Sequence, residues 1–437
     1  MKTSIAVVGM EMLLLGDQVK TGQISNSHDL IKEIIELLST DVDVVVSGIV
    51  DSQEIAEKIS LEIALSSAEL ILLIAIGAVS PGWAIKVAEN KLPILIWDVS
   101  TGNHLPQTAD QNVAHGDTAT VGAIMIGGGL RLAGAEFRII SKPIHDNLSE
   151  IFELIFLAKV AHRMKNIKIA RFGPTIPGYV TIKNAAEESV AVGARISEVS
   201  KEELFQVFHK EQVISENNGL TSKSLEQAIV KITSKNKADA IAVNCHSSFF
   251  RESDEIGIAA CLASASGIPF SCTGDVATAW LLVLVSEIAH SALYVEPYSV
   301  DDELQAVFLG NCGIGQKKMA RPGSWKELPT QFYPGVQGRG TAVSMIVEPG
   351  ASTYVAVRSN LNIWELLIFE GEVLVENLPN FGGAHAYFKP SLITHREMTT
   401  KLATEGVLHH GALGMGHFEK SIRNLIANYP SLNLRVI

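Results

Sequence analysis

Near-continuous runs of Val, Ile and Leu recur along the first third of the chain, and between them apolar residues return every three or four positions. SIAVVG, VDVVVSGIV, ELILLIAIG and LPILIWD are the runs; the Ile31 to Leu38 region and the segment from Glu54 to Leu65 are the helical stretches. A strand covered on both faces has no polar side to alternate with, so the pattern predicts a parallel sheet packed between helices. Ile151, Leu154, Ile155, Ala158 and Ala161 fall on one face of a helix over Leu148 to Met164, which closes this first domain.

A new strand starts at Ile167 to Ala170, and the Gly and Pro residues of FGPTIPGY demand a turn after it. DAIAVNC, a helix near Ile256 to Ser266, PFSC, a helix from Asp275 to His290 and ALYVEP then repeat the strand–helix order. Beyond Gly313 the rhythm changes. TAVSMIVE, TYVAVR and WELLIFEGEVL are closely spaced strands with Gly and Pro turns, and a helix over Phe418 to Ala427 and the strand LRVI follow. The expected architecture is α/β, with two doubly wound parallel-sheet domains at 1–165 and 166–312 and a mainly antiparallel β-barrel domain at 313–437.

With 437 residues, 47% of them hydrophobic and 19% charged, the chain is long enough for several buried cores. A net charge of −12 and the lack of any Lys/Arg-rich run argue against a nucleic-acid partner. Runs such as WLLVLV fall well short of the ~18 residues that would suggest a membrane span. MKTSIAVVGMEMLLLG reads as a buried strand rather than a secretion signal, so a cytoplasmic protein is expected. The four cysteines, Cys245, Cys261, Cys272 and Cys312, form no C-x-x-C pair and are read as reduced thiols.

Some motifs carry less than they promise. Gly127, Gly128 and Gly129 do not make a dinucleotide fingerprint and are expected at a helix-to-strand junction. GNCGIGQK, Gly310 to Lys317, nearly matches a phosphate-binding loop but has Gln316 at the lysine position. Cys245 and His246, adjacent on an expected strand, would face opposite ways.

Four segments put polar residues at strand ends, where α/β proteins build their sites: VSPGWAIKVAENKLPILIWD, QNVAHGD, SCTGDVATAW with ALYVEPY, and EGVLHH. Singly, each has a structural reading: Asp275 as a helix N-cap, His115 as a loop histidine, Glu296 as a solvated strand end. In this order they resemble the arabinose isomerases and, less closely, the fucose isomerases. The resemblance is strongest from Asp239 to Gly313 and from Glu405 onward. It implies substrate contacts from Asn112 and His115, and from Glu11, where those enzymes usually carry glutamine.

Enzymes of this type move a proton between C1 and C2 of a sugar through an enediol, with a divalent metal polarising the oxygens. The resemblance places Glu296 and the His409/His410 pair at the metal, Mn²⁺ or Mg²⁺, with Asp275 as an acid/base candidate. Two positions depart from it. Thr273 stands where a first glutamate is expected, which leaves it a substrate contact, and Asn311 replaces a histidine, its amide oxygen still able to ligate a hard ion. The implied function is a sugar ketol isomerase with a weakened or absent metal site; epimerisation on the same fold, or sugar binding without turnover, are the alternatives. The resemblance also implies a homo-oligomer, a trimer or a dimer of trimers, in which the His115 loop completes a neighbour's site.

Overall fold

The computed structural model describes residues 2–11, 27–100, 107–108, 118–214, 221–246, 257–329, 341–376 and 381–437. Asn112 and His115 lie outside the described residues. The chain divides into two compact units, Met1–His162 and Arg163–Ile437.

In the first unit β1 (Thr3–Met10), β2 (Val42–Val50), β3 (Leu70–Ala75), β4 (Ile94–Asp98) and β5 (Phe137–Ser141) form one sheet in the order β2-β1-β3-β4-β5. Every pairing is parallel. Helices α1 (Ser27–Leu38), α2 (Gln53–Leu65), α3 (Pro81–Ala88) and α4 (Ala119–Leu132) connect the strands, and α5 (Ser149–Met164) follows β5. All six residues of β3 and all five of β4 are buried, as their unbroken apolar sequence requires. The expected helix face of α5 is buried at Ile151, Ile155, Ala158 and Ala161.

The three glycines Gly127 to Gly129 correct the sequence reading, since they lie inside α4 rather than at its end. Close approach explains why glycine is tolerated there. A Cβ at Gly129 would come within 2.8 Å of Pro81, and one at Gly122 within 2.0 Å of the Gly77 carbonyl oxygen.

The second unit opens with a smaller parallel sheet, β6 (Lys168–Phe172), β7 (Arg195–Val199), β8 (Ala240–Val243) and β9 (Phe270–Ser271), in the order β7-β6-β8-β9. Its helices are α6 (Val180–Glu187), α7 (Lys201–Ile214), α8 (Thr221–Lys235) and α9 (Val276–Ala289). The expected helix near Ile256 to Ser266 is a 3₁₀ helix, Gly257–Ser266. Cys245 and His246 lie in a turn beyond β8 and not on a strand. Residues 276 to 285 of α9 are buried on every side, which makes it the central helix of the unit. Trp280 on α9 meets Trp364 edge to face, with ring centroids 5.2 Å apart.

The remaining strands are β10 (Leu293–Asp301), β11 (Ala306–Gly310), β12 (Lys326–Pro329), β13 (Thr341–Ile346), β14 (Gly350–Asn360), β15 (Ile363–Val373), β16 (Ala384–Pro390), β17 (Gly411–Met415) and β18 (Leu434–Val436). They build a nine-stranded sheet in the order β12-β13-β16-β11-β10-β17-β14-β15-β18. A further antiparallel pairing of β15 with β16 links the run from β16 to β15 end to end. The sheet is mixed: β13–β16 and β15–β18 pair in parallel and the other pairings are antiparallel, in keeping with a mainly antiparallel domain. β10 and β11, which precede position 313, belong to this sheet. Leu293, Val295, Leu309, Val343, Tyr354, Leu367 and Phe388 are among its buried core. Helix α10 (His395–Glu405) begins with a capping box at Thr394 and Glu397, and α11 (Glu419–Asn428) precedes β18. Among the described residues no helix is long and apolar enough to cross a membrane.

Candidate metal centre

The strand order of the smaller sheet reverses direction between β6 and β8, and a cleft forms beyond the carboxyl ends of these strands, where such folds place ligands. It measures about 320 Å³ and is lined by Tyr179 from the loop after β6, His246 after β8, and Cys272 and Thr273 after β9. The nine-stranded sheet contributes Glu296 and Tyr298 of β10, Cys312 after β11, and His409 and His410 before β17.

Backbone and side-chain bonds fix the first of these loops. Asn244 donates its backbone N–H to the Phe172 carbonyl and its side-chain amide to Pro174. Thr273 then adopts φ +58°, followed by Gly274 at +70°. A β-branched residue in the left-handed region is strained, and such strain collects at functional sites. The turn lays Thr273 along the cleft, 7% exposed, with its hydroxyl donating to the Cys272 carbonyl.

Asp275 caps α9, its Oδ1 accepting the Thr278 N–H at 3.0 Å and its Oδ2 the Thr278 hydroxyl at 2.6 Å. The same Oδ2 lies 2.7 Å from Nδ1 of His410, and both side chains are fully buried. Burial alone would push the Asp275 carboxyl up. The hydrogen bond and charge of His410, joined by the bonds from Thr278, outweigh it and hold the carboxyl below the usual range. An ionised Asp275 can only accept, so Nδ1 of His410 is the donor and Nε2 is the ring nitrogen left for another partner. Among the described residues that buried Nε2 has no hydrogen-bond partner. A carboxylate behind an imidazole, with the second nitrogen left free, is the arrangement that orients metal-binding histidines. Gly411 beside it leaves room for the Tyr354 ring, which a Cβ at that position would meet at 2.6 Å.

Glu296, His409 and His410 each offer a ligand atom, all within 4.8 Å of one another. Burial pushes the Glu296 carboxyl up to about 7, with Cys312 and Asp275 adding to the rise and His410 and the Tyr294 hydroxyl, 3.3 Å away, opposing it. His409 stands at the cleft mouth, its ring centroid 3.8 Å from that of His410 and 5.5 Å from that of Tyr179. Loss of water around the ring and the neighbouring His410 push it down to about 4, so it is neutral at pH 7 and ready to donate a lone pair. One carboxylate, the neutral ring of His409 and the orphaned buried Nε2 of His410 fit a divalent ion that accepts both oxygen and nitrogen, which favours Mn²⁺ over Mg²⁺.

The structure thus brings Glu296, Asp275, Thr273, His409 and His410 to one place. Asn311 is fully buried and differently engaged: its Nδ2 donates to the Tyr294 carbonyl at 2.7 Å, and its Oδ1 accepts from Gly313 N–H at 3.0 Å and Ile314 N–H at 2.8 Å. With two backbone donors on its oxygen, Asn311 shapes the loop after β11 and is not among the cleft-lining residues. Glu11 lies in the first unit, just beyond β1 at that sheet's own β1/β3 switch point, where Ser27 donates its hydroxyl to the carboxylate. Tyr179, His246, Tyr294, Tyr298 and Phe381 went unforeseen. Tyr294 and Tyr298 left a sequence signal, two residues before and two residues after Glu296 on one strand. No protein-family model matches the chain, and no curated protein matches it either.

Proposed function

We propose that this protein is a sugar ketol isomerase that uses a divalent ion, Mn²⁺ in preference to Mg²⁺, held by Glu296, His409 and His410. The observation that carries the reading is a carboxyl poised near neutrality within 4.8 Å of ligand atoms of two histidines in an open cleft. When bound, the ion would polarise the carbonyl and hydroxyl oxygens of the sugar and acidify the carbon-bound proton between them. Glu296 removes that proton and returns it to the neighbouring carbon while the hydroxyl proton passes from one oxygen to the other, which exchanges aldose for ketose through an enediol. Asp275 acts behind His410, holding its tautomer and ring orientation. Thr273, His246 and Tyr298 face the sugar hydroxyls.

Isomerisation returns the proton on one face and needs one base, which Glu296 supplies. Epimerisation restores it on the opposite face and needs a second acid–base group, for which His246 and Tyr298 are the lining candidates, so product analysis separates the two readings. We retain, as part of the proposal, a cytoplasmic trimer or dimer of trimers with Asn112, His115 and Glu11 contacting the substrate. The test is a panel of pentoses and hexoses, free and phosphorylated, incubated with the Mn²⁺-loaded protein. Conversion of an aldose to its ketose is the expected result, falling 10²–10⁴-fold in Glu296→Gln. Saturable sugar binding with no conversion would replace the isomerase with a binding protein.

A further inference from the structure

Three of the chain's four cysteines, Cys245, Cys261 and Cys272, converge on one point beside the cleft, and Cys312 lies next to them. They arrive on separate elements: two residues after β8, within the 3₁₀ helix, directly after β9 and two residues after β11. Sγ atoms of Cys245, Cys261 and Cys272 all lie within 4.8 Å of one another, and those of Cys245 and Cys272 are 2.9 Å apart. The thiol of Cys312 interacts with all three. Three of the four are buried, and Cys312 and Cys272 also line the cleft.

We propose that these four thiols are the ligands of a second metal ion, a single Zn²⁺ in a tetrahedral thiolate site. With metal–sulfur bonds of about 2.3 Å, a tetrahedron has sulfur–sulfur edges of about 3.8 Å, so one ion seated here would part Cys245 and Cys272 slightly and gather Cys312 to the other three. A bridged iron–sulfur cluster spreads its thiolates over more than one iron and needs them more widely placed. On loading, one Zn²⁺ displaces the protons of four thiols and leaves a centre of net charge −2, with no change of oxidation state.

The site would tie together the loops that build the cleft. Cys272 directly precedes Thr273 and is three residues from Asp275, and Cys312 follows the β11 residue Gly310, which pairs with Glu296. Soft thiolates select Zn²⁺, whereas the Glu296 and imidazole set favours Mn²⁺, so the two centres separate their ions by ligand type.

The test is Co²⁺ titration of the full chain, purified under reducing conditions and treated with chelator, followed by its visible spectrum and by thiol counting. Expected are one Co²⁺ per chain with sulfur-to-cobalt charge-transfer and tetrahedral ligand-field bands, displacement by one equivalent of Zn²⁺, and fewer than one reactive thiol until the metal is removed. The bands should persist in His409→Gln/His410→Gln and fall at least tenfold in Cys261→Ser and Cys272→Ser. If the serine variants fail to fold, the wild-type bands and their displacement by Zn²⁺ decide alone. Absence of charge-transfer bands with four free thiols, a disulfide in place of two thiols, or iron with inorganic sulfide in the purified protein would each overturn the proposal.

Discussion

At Glu296 the protein holds a carboxyl that ionises only at about 7, against 4.5 for a free side chain. The sign of the consequence follows from where each state binds its proton. The unfolded chain loses the proton near 4.5 and the folded chain near 7, so between those values the unfolded state is increasingly favoured. Metal-free Glu296→Gln should therefore be more stable than metal-free wild type, by up to about 1 kcal/mol at pH 5 and about 3 kcal/mol at pH 8. Urea unfolding at the two pH values, with chelator present, measures it; an equal or negative effect at pH 8 would mean that Glu296 is well solvated. Asp275 has the opposite character. Asp275→Asn keeps a capping side chain on α9 but removes the carboxylate from behind His410, and Mn²⁺ affinity should fall 10–100-fold in calorimetric titration.

At the scale of elements, the turn after β9 is where the fold concedes local stability to the site. Thr273 sits at φ +58°, a conformation costing roughly 1–2 kcal/mol for a residue with a Cβ. Thr273→Gly should relieve part of that cost, raising stability by up to about 1 kcal/mol after the added freedom of the unfolded chain is deducted, while sugar conversion falls. Thermal unfolding and the conversion assay read the two effects separately. Much of the element order was legible, because β3, β4 and α5 carry unambiguous apolar periods. The membership of β10 and β11 in the mixed sheet was not: LYVEPY reads equally well as the end of another strand–helix unit, and only pairing with β17 and β16 settles it. Gly129 of α4 misled for a related reason, since it is the approach of Pro81, distant in sequence, that leaves no room for a side chain there. The site was half legible. Strand ends marked Glu296, Asp275 and the histidine pair, but the thiol cluster depends on four element ends meeting, and no spacing in the sequence records that.

The molecule as a whole presents apolar side chains that burial within the described chain does not explain, at Leu61 and Leu65 on α2 and in a longer stripe on α4. Val121, Ile124 and Leu132 are exposed at 47%, 69% and 86%, and their spacing puts them on one side of α4. Such a stripe suits contact with another copy, in keeping with the proposed trimer or dimer of trimers. Light scattering should give a mass of three or six chains, reduced in Ile124→Glu/Leu132→Glu; a monomeric wild type at micromolar concentration would remove the shared-site arrangement. The central claim, that Glu296 moves a proton between neighbouring sugar carbons, is tested most directly by running the Mn²⁺-loaded protein in D₂O and locating deuterium in the products by mass spectrometry. Solvent deuterium on the carbon that gains the proton, with aldose and ketose interconverting and both signals lost in Glu296→Gln, is the predicted result. Deuterium exchange or interconversion that proceeds undiminished in Glu296→Gln would contradict it.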